Sequence, residues 1–196
     1  MIRFSPGKSL FPILFFLFIS AGIRAQEGKE LKLDKCARME AGFIFSINST
    51  DTNRYSPGGQ MQYSYCIKAH PRAGYGAGLG FNFFRDEIFI PFHIDFIGLL
   101  KEGKNGPFVT VQVGYSIGVS SRYINYQDQK FRGGMYFHGG FGNRFAVNDR
   151  FSAYVSLSYS HQSANLRYTT GSGHREKEKF NYNMVALSIG LMFEEY

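Results

Sequence analysis

The sequence predicts an all-β fold, an eight-stranded antiparallel transmembrane β-barrel. Apolar and polar residues alternate with period two through eight segments of about ten residues each. A load of 23 Gly, 13 Tyr and 21 Phe in 196 residues suits strands and tight turns better than helices. Beyond the amino terminus no apolar stretch nears the roughly 20 residues of a membrane helix. A closed barrel is then the one spanning element left, because lipid cannot satisfy an open sheet edge.

The first 25 residues read as a cleaved signal peptide rather than as part of the fold. Arg3 and Lys8 form a positive start, Leu10 to Ile19 an apolar run broken only by Pro12, and Ala21 to Ala25 a small-residue exit. No Cys follows closely enough for a lipoprotein anchor. Cleavage after Ala25 leaves 171 residues, enough for one domain, with residues 26–34 as a short periplasmic lead and 35–196 as the barrel. Losing Arg3, Lys8 and Arg24 lowers the net charge from +7 to +4. That modest excess does not argue for nucleic acid, and it suits either a surface facing anionic lipopolysaccharide or loops that are simply soluble.

Taken in order, the first segment sets Met39, Ala41, Phe43, Phe45 and Ile47 against Glu40, Gly42, Ile44, Ser46 and Asn48. The second sets Met61, Tyr63, Tyr65 and Ile67 against Gln60, Gln62, Ser64, Cys66 and Lys68. The third, Tyr75 to Phe83, alternates large apolar residues with Gly76, Gly78, Gly80 and Asn82. In the fourth, Ile88 to Phe96 carries Phe89, Pro91, His93 and Asp95 on its mixed face, and Pro91 weakens it by removing a ladder donor. Val109 to Gly118 is the fifth and most regular. The sixth is marked by Met135, Phe137 and Phe141 opposite Tyr136, His138, Gly140, Gly142 and Arg144, with Gly139 and Asn143 as weak points. Phe151 to Ser160 and Met184 to Phe193 complete the eight.

Energy assigns the faces. The charges within these segments, Glu40, Lys68, Asp95 and Arg144, all lie on the mixed face. A Lys or Arg on the lipid face costs about 2–4 kcal/mol at mid-depth. The mixed face therefore points inward, where side chains fill an eight-stranded barrel and leave no open channel. A soluble sandwich or lipocalin-like barrel is the competitor, but this Gly-, Ser- and Gln-rich face makes a poor soluble core.

The links agree with an amino end in the periplasm. Outward links at 48–59, 119–132 and 161–179 are long and polar, whereas inward links at 70–74, 101–106 and 146–150 are short. Arg85-Asp86-Glu87 is the exception, outward yet short. Tyr115 and Tyr159 then fall near one interface, and Tyr75, Phe151 and Phe193 near the other, as aromatic girdles do.

The stretch Gly76 to Gly118, GAGLGFNFFRDEIFIPFHIDFIGLLKEGKNGPFVTVQVGYSIG, resembles small outer-membrane β-barrel proteins common in Bacteroidota, and Gly133 to Tyr159 continues the likeness. It covers roughly half of the mature chain. The resemblance implies an OmpA- or OmpX-like transmembrane domain in the cell outer membrane of a Gram-negative bacterium, with outer-membrane lipid and lipopolysaccharide as its surroundings and no agreed biochemical role.

Four groups of residues are candidates for chemistry. Cys36 and Cys66 are the only cysteines. If the first outer loop centres near residue 51, paired positions sum to 102, which places these two opposite each other on the inward face. In an exported protein they form either a disulfide or a pair of buried thiols. Glu40, Lys68, His93, Asp95, His138 and Arg144 share the lumen, as a polar network that satisfies buried groups or as a proton relay or metal site. His161-Gln162-Ser163 resembles the His-x-Ser pair of the lipid A deacylases, which are also eight-stranded barrels. That resemblance implies His161 as general base toward Ser163, with a carboxylate such as Glu178 orienting the His. The family has Asn directly after its Ser, where this chain has Ala164 and then Asn165, and Glu176 and Glu178 have the inward parity. Charged loop residues at 122–132 and 173–179 are the fourth group, binders of lipopolysaccharide phosphates or an extracellular ligand, or simply solvated loop. No cofactor is expected.

Overall fold

The computed structural model describes residues 34–47, 57–84, 86–120, 127–170 and 173–195. The expected leader and most of the first outer link lie outside them. Eight strands follow one another: β1 (Asp34–Ser46), β2 (Gly58–His70), β3 (Ala73–Phe83), β4 (Glu87–Leu99), β5 (Gly106–Ser120), β6 (Gln127–Ala146), β7 (Phe151–Thr169) and β8 (Arg175–Glu195). Each pairs antiparallel with its neighbours, and β1 pairs with β8 from Lys35↔Glu195 to Ser46↔Met184, so the sheet closes into a barrel. Within the closed part strands pair on both sides, the condition a membrane imposes.

Period two runs through all eight strands, with one reversal of parity at a bulge in β6. Phe43, Phe92, Ile94, Phe141 and Ile189 stand half exposed or more on the outside, and Glu40, Gln112, His138 and Arg144 are buried within. β1 and β2 pair in the register expected from a loop centred on residue 51, from Asp34↔Lys68 to Ile44↔Gly58. Pro91 is accommodated because the β3–β4 ladder skips from Leu79↔Phe92 to Asn82↔Phe89, and its missing donor falls in the gap. The weak points of the sixth segment, Gly139 and Asn143, pair regularly with Tyr159 and Val155.

Strand length is where the structure corrects the sequence reading. Instead of about ten residues each, the strands run from 11 residues in β3 to 21 in β8. The links expected at 161–179 and 119–132 are largely strand: β7 continues to Thr169, β8 starts at Arg175, and β6 starts at Gln127. Past Tyr159 the outward residues turn polar, so no apolar face marks the extension, although the ladder continues from His161↔Asn183 to Thr169↔Arg175. A bulge between Gly133 and Tyr136 shifts the β6 register. It swaps parity, so that Phe131 faces in beyond the bulge while Tyr136 faces in before it. The barrel thus has a turn end, with short connections at 71–72, 100–105 and 147–150, and a ribbon end, where β6, β7 and β8 project past the other strands.

Candidate functional site

Two apolar plugs and a polar middle fill the lumen. At the ribbon end Ile44, Phe84, Phe89, Ala164, Tyr182, Met184 and Ala186 cluster, with Phe131 and Phe180 packed against them. The Phe89 and Tyr182 rings meet edge to face at 5.0 Å. At the turn end Ile97, Leu99, Phe108, Tyr154 and Met192 form the second plug, with Phe108 against Tyr154 at 5.1 Å. Such ring pairs add roughly 0.5–1.5 kcal/mol beyond their burial. Small residues make the room. A methyl group at Gly78 would lie 2.5 Å from His93 Nε2, and one at Gly190 2.3 Å from Tyr154 Cζ, so only glycine admits these rings.

Between the plugs the polar side chains bond one another. Arg38 Nη2 donates to both Asp95 oxygens, at 3.1 and 2.9 Å, and Thr110 Oγ1 donates to Asp95 Oδ1 at 3.0 Å. Gln62 Nε2 donates to Tyr136 Oη at 2.9 Å, which in turn donates to Gln112 Oε1 at 3.2 Å. His93 Nε2 lies 3.2 Å from Ser64 Oγ, and His138 Nδ1 2.8 Å from Ser160 Oγ. Tyr154 Oη donates to Glu40 Oε2 at 3.0 Å.

Of the six residues expected in the lumen network, Glu40, His93, Asp95 and His138 gather around Arg38, Tyr136 and Tyr154: Glu40 accepts from Tyr154, and His93 and His138 flank the Tyr136 ring at centroid distances of 5.9 and 6.3 Å. Lys68 and Arg144 lie at the turn end, where they share Glu194: Lys68 Nζ bonds Glu194 Oε1, and Arg144 Nη1 donates to the same oxygen at 3.1 Å. Arg144 Nη2 also donates to the Gly103 carbonyl at 2.7 Å. Pairing is what makes these buried charges tolerable, since a buried ion without its partner is strongly destabilising. Among the described residues no group of three His, Cys, Asp or Glu side chains is placed to hold a metal ion.

Arg38, which pairs with Asp95, and Glu194, which Lys68 and Arg144 share, are not among the expected residues. Both sit one residue outside the segments read as strands, which ran from Met39 and to Phe193. Their even parity, shared with Cys36 and Met192, was the available signal. Cys36 and Cys66 face each other in the β1–β2 ladder and are joined by a disulfide, with Cα atoms 4.9 Å apart.

His161 and Ser163 project from the outside of β7, both half-buried, just past Tyr159. They do not form a triad with Glu178. His161 Nδ1 lies 2.6 Å from Asn183 Oδ1, which also accepts from Tyr159 Oη at 2.9 Å, so an amide and not a carboxylate holds the imidazole. Ser163 Oγ packs toward Gly134 at the β6 bulge, 2.4 Å from where a Cβ would stand. Glu178 pairs with Leu166, five positions farther along the ladder than His161, and at about 3.4 Å per residue it cannot reach the ring. Its Oε1 lies instead 2.8 Å from Tyr168 Oη, whose one proton is shared with Glu176 Oε2 at 2.9 Å. Hydrogen bonding to Glu178 and then Glu176 raises the Tyr168 phenol above its ordinary range.

A closed eight-stranded barrel with an apolar outside and a packed polar inside has the fold of the small outer-membrane barrels. Among solved structures, the chain is similar to the outer membrane protein AlkL in lipid bilayers, at 11% identity and a TM-score of 0.56, covering 100% of this chain and 97% of that one. It is also similar to the N-terminal β-barrel domain of Pseudomonas aeruginosa OprF, at 14% identity and a TM-score of 0.50, covering 82% of this chain and 97% of that one. At these identities the likeness is one of fold. No protein-family model matches the sequence, and no curated protein matches it.

Proposed function

We propose that this chain is a small barrel of the bacterial outer membrane with a structural or surface-binding role and no catalysis. The observation that carries the reading is the combination of a lumen plugged at both ends with an outside that is apolar all round. A filled lumen offers no path for solutes, so lipid contacts and whatever meets the projecting ribbon are what remain for the protein to do. The amino-terminal leader supports export and cleavage at Ala25, and the resemblance over 76–118 supports a Bacteroidota-type, OmpA- or OmpX-like domain in a Gram-negative cell. The long link expected at 48–59 and the β6–β8 ribbon, which takes up most of the links expected at 119–132 and 161–179, support an orientation with the ribbon end outside and the turn end in the periplasm.

Expression in a Gram-negative host tests this. The chain should appear in the outer-membrane fraction, begin at Gln26, and migrate faster unboiled than boiled in detergent gels. A soluble protein with no such shift overturns the reading. The esterase alternative has its own test in mass spectrometry of lipid A from cells making the wild type or His161→Ala. Identical lipid A is expected, and loss of an acyl chain only with the wild type would assign catalysis to His161 and Ser163.

A further inference from the structure

We infer that a groove on the outside of the barrel holds one acyl chain of a phospholipid from the leaflet at the turn end, with the phosphate of that lipid at Lys35 and Arg150. The inference rests on the outer-membrane reading above.

Register builds the groove. Outward residues stand in rows across the strands, and successive rows are two residues, or about 7 Å, apart. One row carries Phe81, Met61, Ala41, Ile189 and Val155, and the next carries Tyr63, Met39, Leu191, Ala153 and Phe145. Ala41 and Ala153 are short where the others are large, so the walls part there. On the floor Gln62, Glu40 and Tyr154 turn their side chains inward, and Gly190 has none. The resulting groove, of about 590 Å³, crosses six strands from Phe145 on β6 to Phe81 on β3. It has roughly four times the volume that takes up a benzene ring, which is room for one long acyl chain.

Slope, depth and charge select the occupant. Phe145 stands one residue from the turn end of β6, and Phe81 eight residues from that of β3. Five strand spacings at a tilt of about 40° raise the groove by roughly 15 Å, half the hydrocarbon thickness, so it follows a chain of the turn-end leaflet. Hydrocarbon must fill it, since a void forfeits the dispersion contacts of its lining. A second barrel, itself convex, would touch the walls and leave the floor bare. Below the groove Lys35, Ala37, Tyr65 and Arg150 line a polar recess of about 750 Å³. Cys36 on its floor lies four residues below Glu40, about 10 Å along the membrane normal. An outward Lys costs least at the interface, so Lys35 marks the headgroup layer. Ile67, beside it on β2, stands about 3 Å higher on the slope. Three carboxylates line the recess or face Lys35 across a ladder. Glu194 is held inside by Lys68 and Arg144, Asp149 lies 3.7 Å from Lys104, and Glu195 opposes Lys35. Among the described residues neither Lys35 nor Arg150 forms a salt bridge, and both are exposed. A phosphate suits this pair, Arg as a bidentate donor and Lys as a point charge.

The test uses the processed chain, purified in mild detergent and checked for its heat-modifiable shift. Absence of that shift would defeat the barrel reading, and the inference with it. A shifted protein that retains no lipid would defeat the inference alone. The folded protein is titrated with palmitoyl-oleoyl phosphatidylglycerol, with diacylglycerol of the same chains, and with lipopolysaccharide, and retained lipid is counted by native mass spectrometry. We expect one phosphatidylglycerol per barrel, bound at least about tenfold more tightly than the diacylglycerol, as two engaged cations imply. Ala41→Phe/Ala153→Phe, which fills the groove from outside, should abolish retention, and Val111→Phe/Val113→Phe on the opposite side of the barrel should not. Lys35→Gln/Arg150→Gln should remove the preference over diacylglycerol. If the groove-filling pair does not fold, Ala41→Val/Ala153→Val should weaken retention in the same direction. Equal binding of diacylglycerol, preference for lipopolysaccharide, retention by the groove-filled variant, an equal loss in the opposite-side variant, or a dimer that displaces the lipid would each overturn the inference.

Discussion

At the turn end Lys68 and Arg144 share Glu194 inside the barrel. At the ribbon end Lys130, Arg167 and Lys177 stand side by side with no carboxylate between them. The contrast follows from dielectric. Inside the barrel water cannot solvate a charge, and pairing is obligatory. On the ribbon water does solvate it, so like charges are tolerated at a small cost and become available to a partner. The two ends should then answer differently to the loss of a single charge.

The largest effect is expected from Glu194→Ala, which takes from Lys68 and Arg144 the carboxylate they share. It should cost about 3–5 kcal/mol in urea unfolding from detergent. A cost near that of a surface substitution would mean that the turn-end charges are solvated after all. Asp95→Ala, which removes the partner of buried Arg38, should be nearly as costly, at about 3 kcal/mol, whereas Arg38→Met/Asp95→Leu should recover most of the loss. Failure of the double variant to recover would show that the hydrogen bonds of Thr110 matter more than the charge pair. Replacing both cysteines by alanine releases a constraint between residues 30 apart and should cost about 2–4 kcal/mol. Thiol labelling of the denatured, unreduced protein that finds Cys36 and Cys66 free would remove the basis for this.

On the ribbon the same operation should do almost nothing. Arg167→Gln should change stability by no more than about 0.5 kcal/mol, and in the stabilising direction at low salt. A loss approaching that of Glu194→Ala would erase the distinction between the ends. The smallest expected change is spectroscopic. The Tyr168 phenol should ionise above the ordinary tyrosine range in ultraviolet titration, because Glu178 and Glu176 favour its neutral, donating form. It should return to that range in Glu176→Gln/Glu178→Gln.

How much of this was legible in the sequence depended on whether lipid imposed a pattern. Within the bilayer every second residue must be apolar, so Val109 to Gly118 and Phe151 to Ser160 declared both their strands and their faces. Symmetry about the first loop even supplied the β1–β2 register. Beyond the bilayer that constraint lapses. The strand from His161 to Thr169 looks like a loop because Ser163, Asn165 and Arg167 occupy the positions that would face lipid lower down. The bulge at Gly133–Tyr136 hid the start of β6 by reversing its parity. In the lumen, Glu40, Lys68, Asp95 and Arg144 were recognisable as inward charges, but their partners depend on contacts across the barrel. Arg38 meets Asp95 over a separation of 57 residues, and no local pattern encodes that pairing. The outer His161 and Ser163 show the converse. Their spacing is right for a pair on one face, yet only the ladder reveals that Asn183 rather than Glu178 lies beside His161.

The central claim is that partners meet the outside of this barrel and not its interior, and single-channel recording in planar bilayers tests it most directly. With the plugs around Phe89 and Phe108 in place, the folded protein should give a quiet baseline without steady steps across the applied voltage range. Discrete, ion-selective conductance steps would contradict the sealed lumen and make this protein a channel.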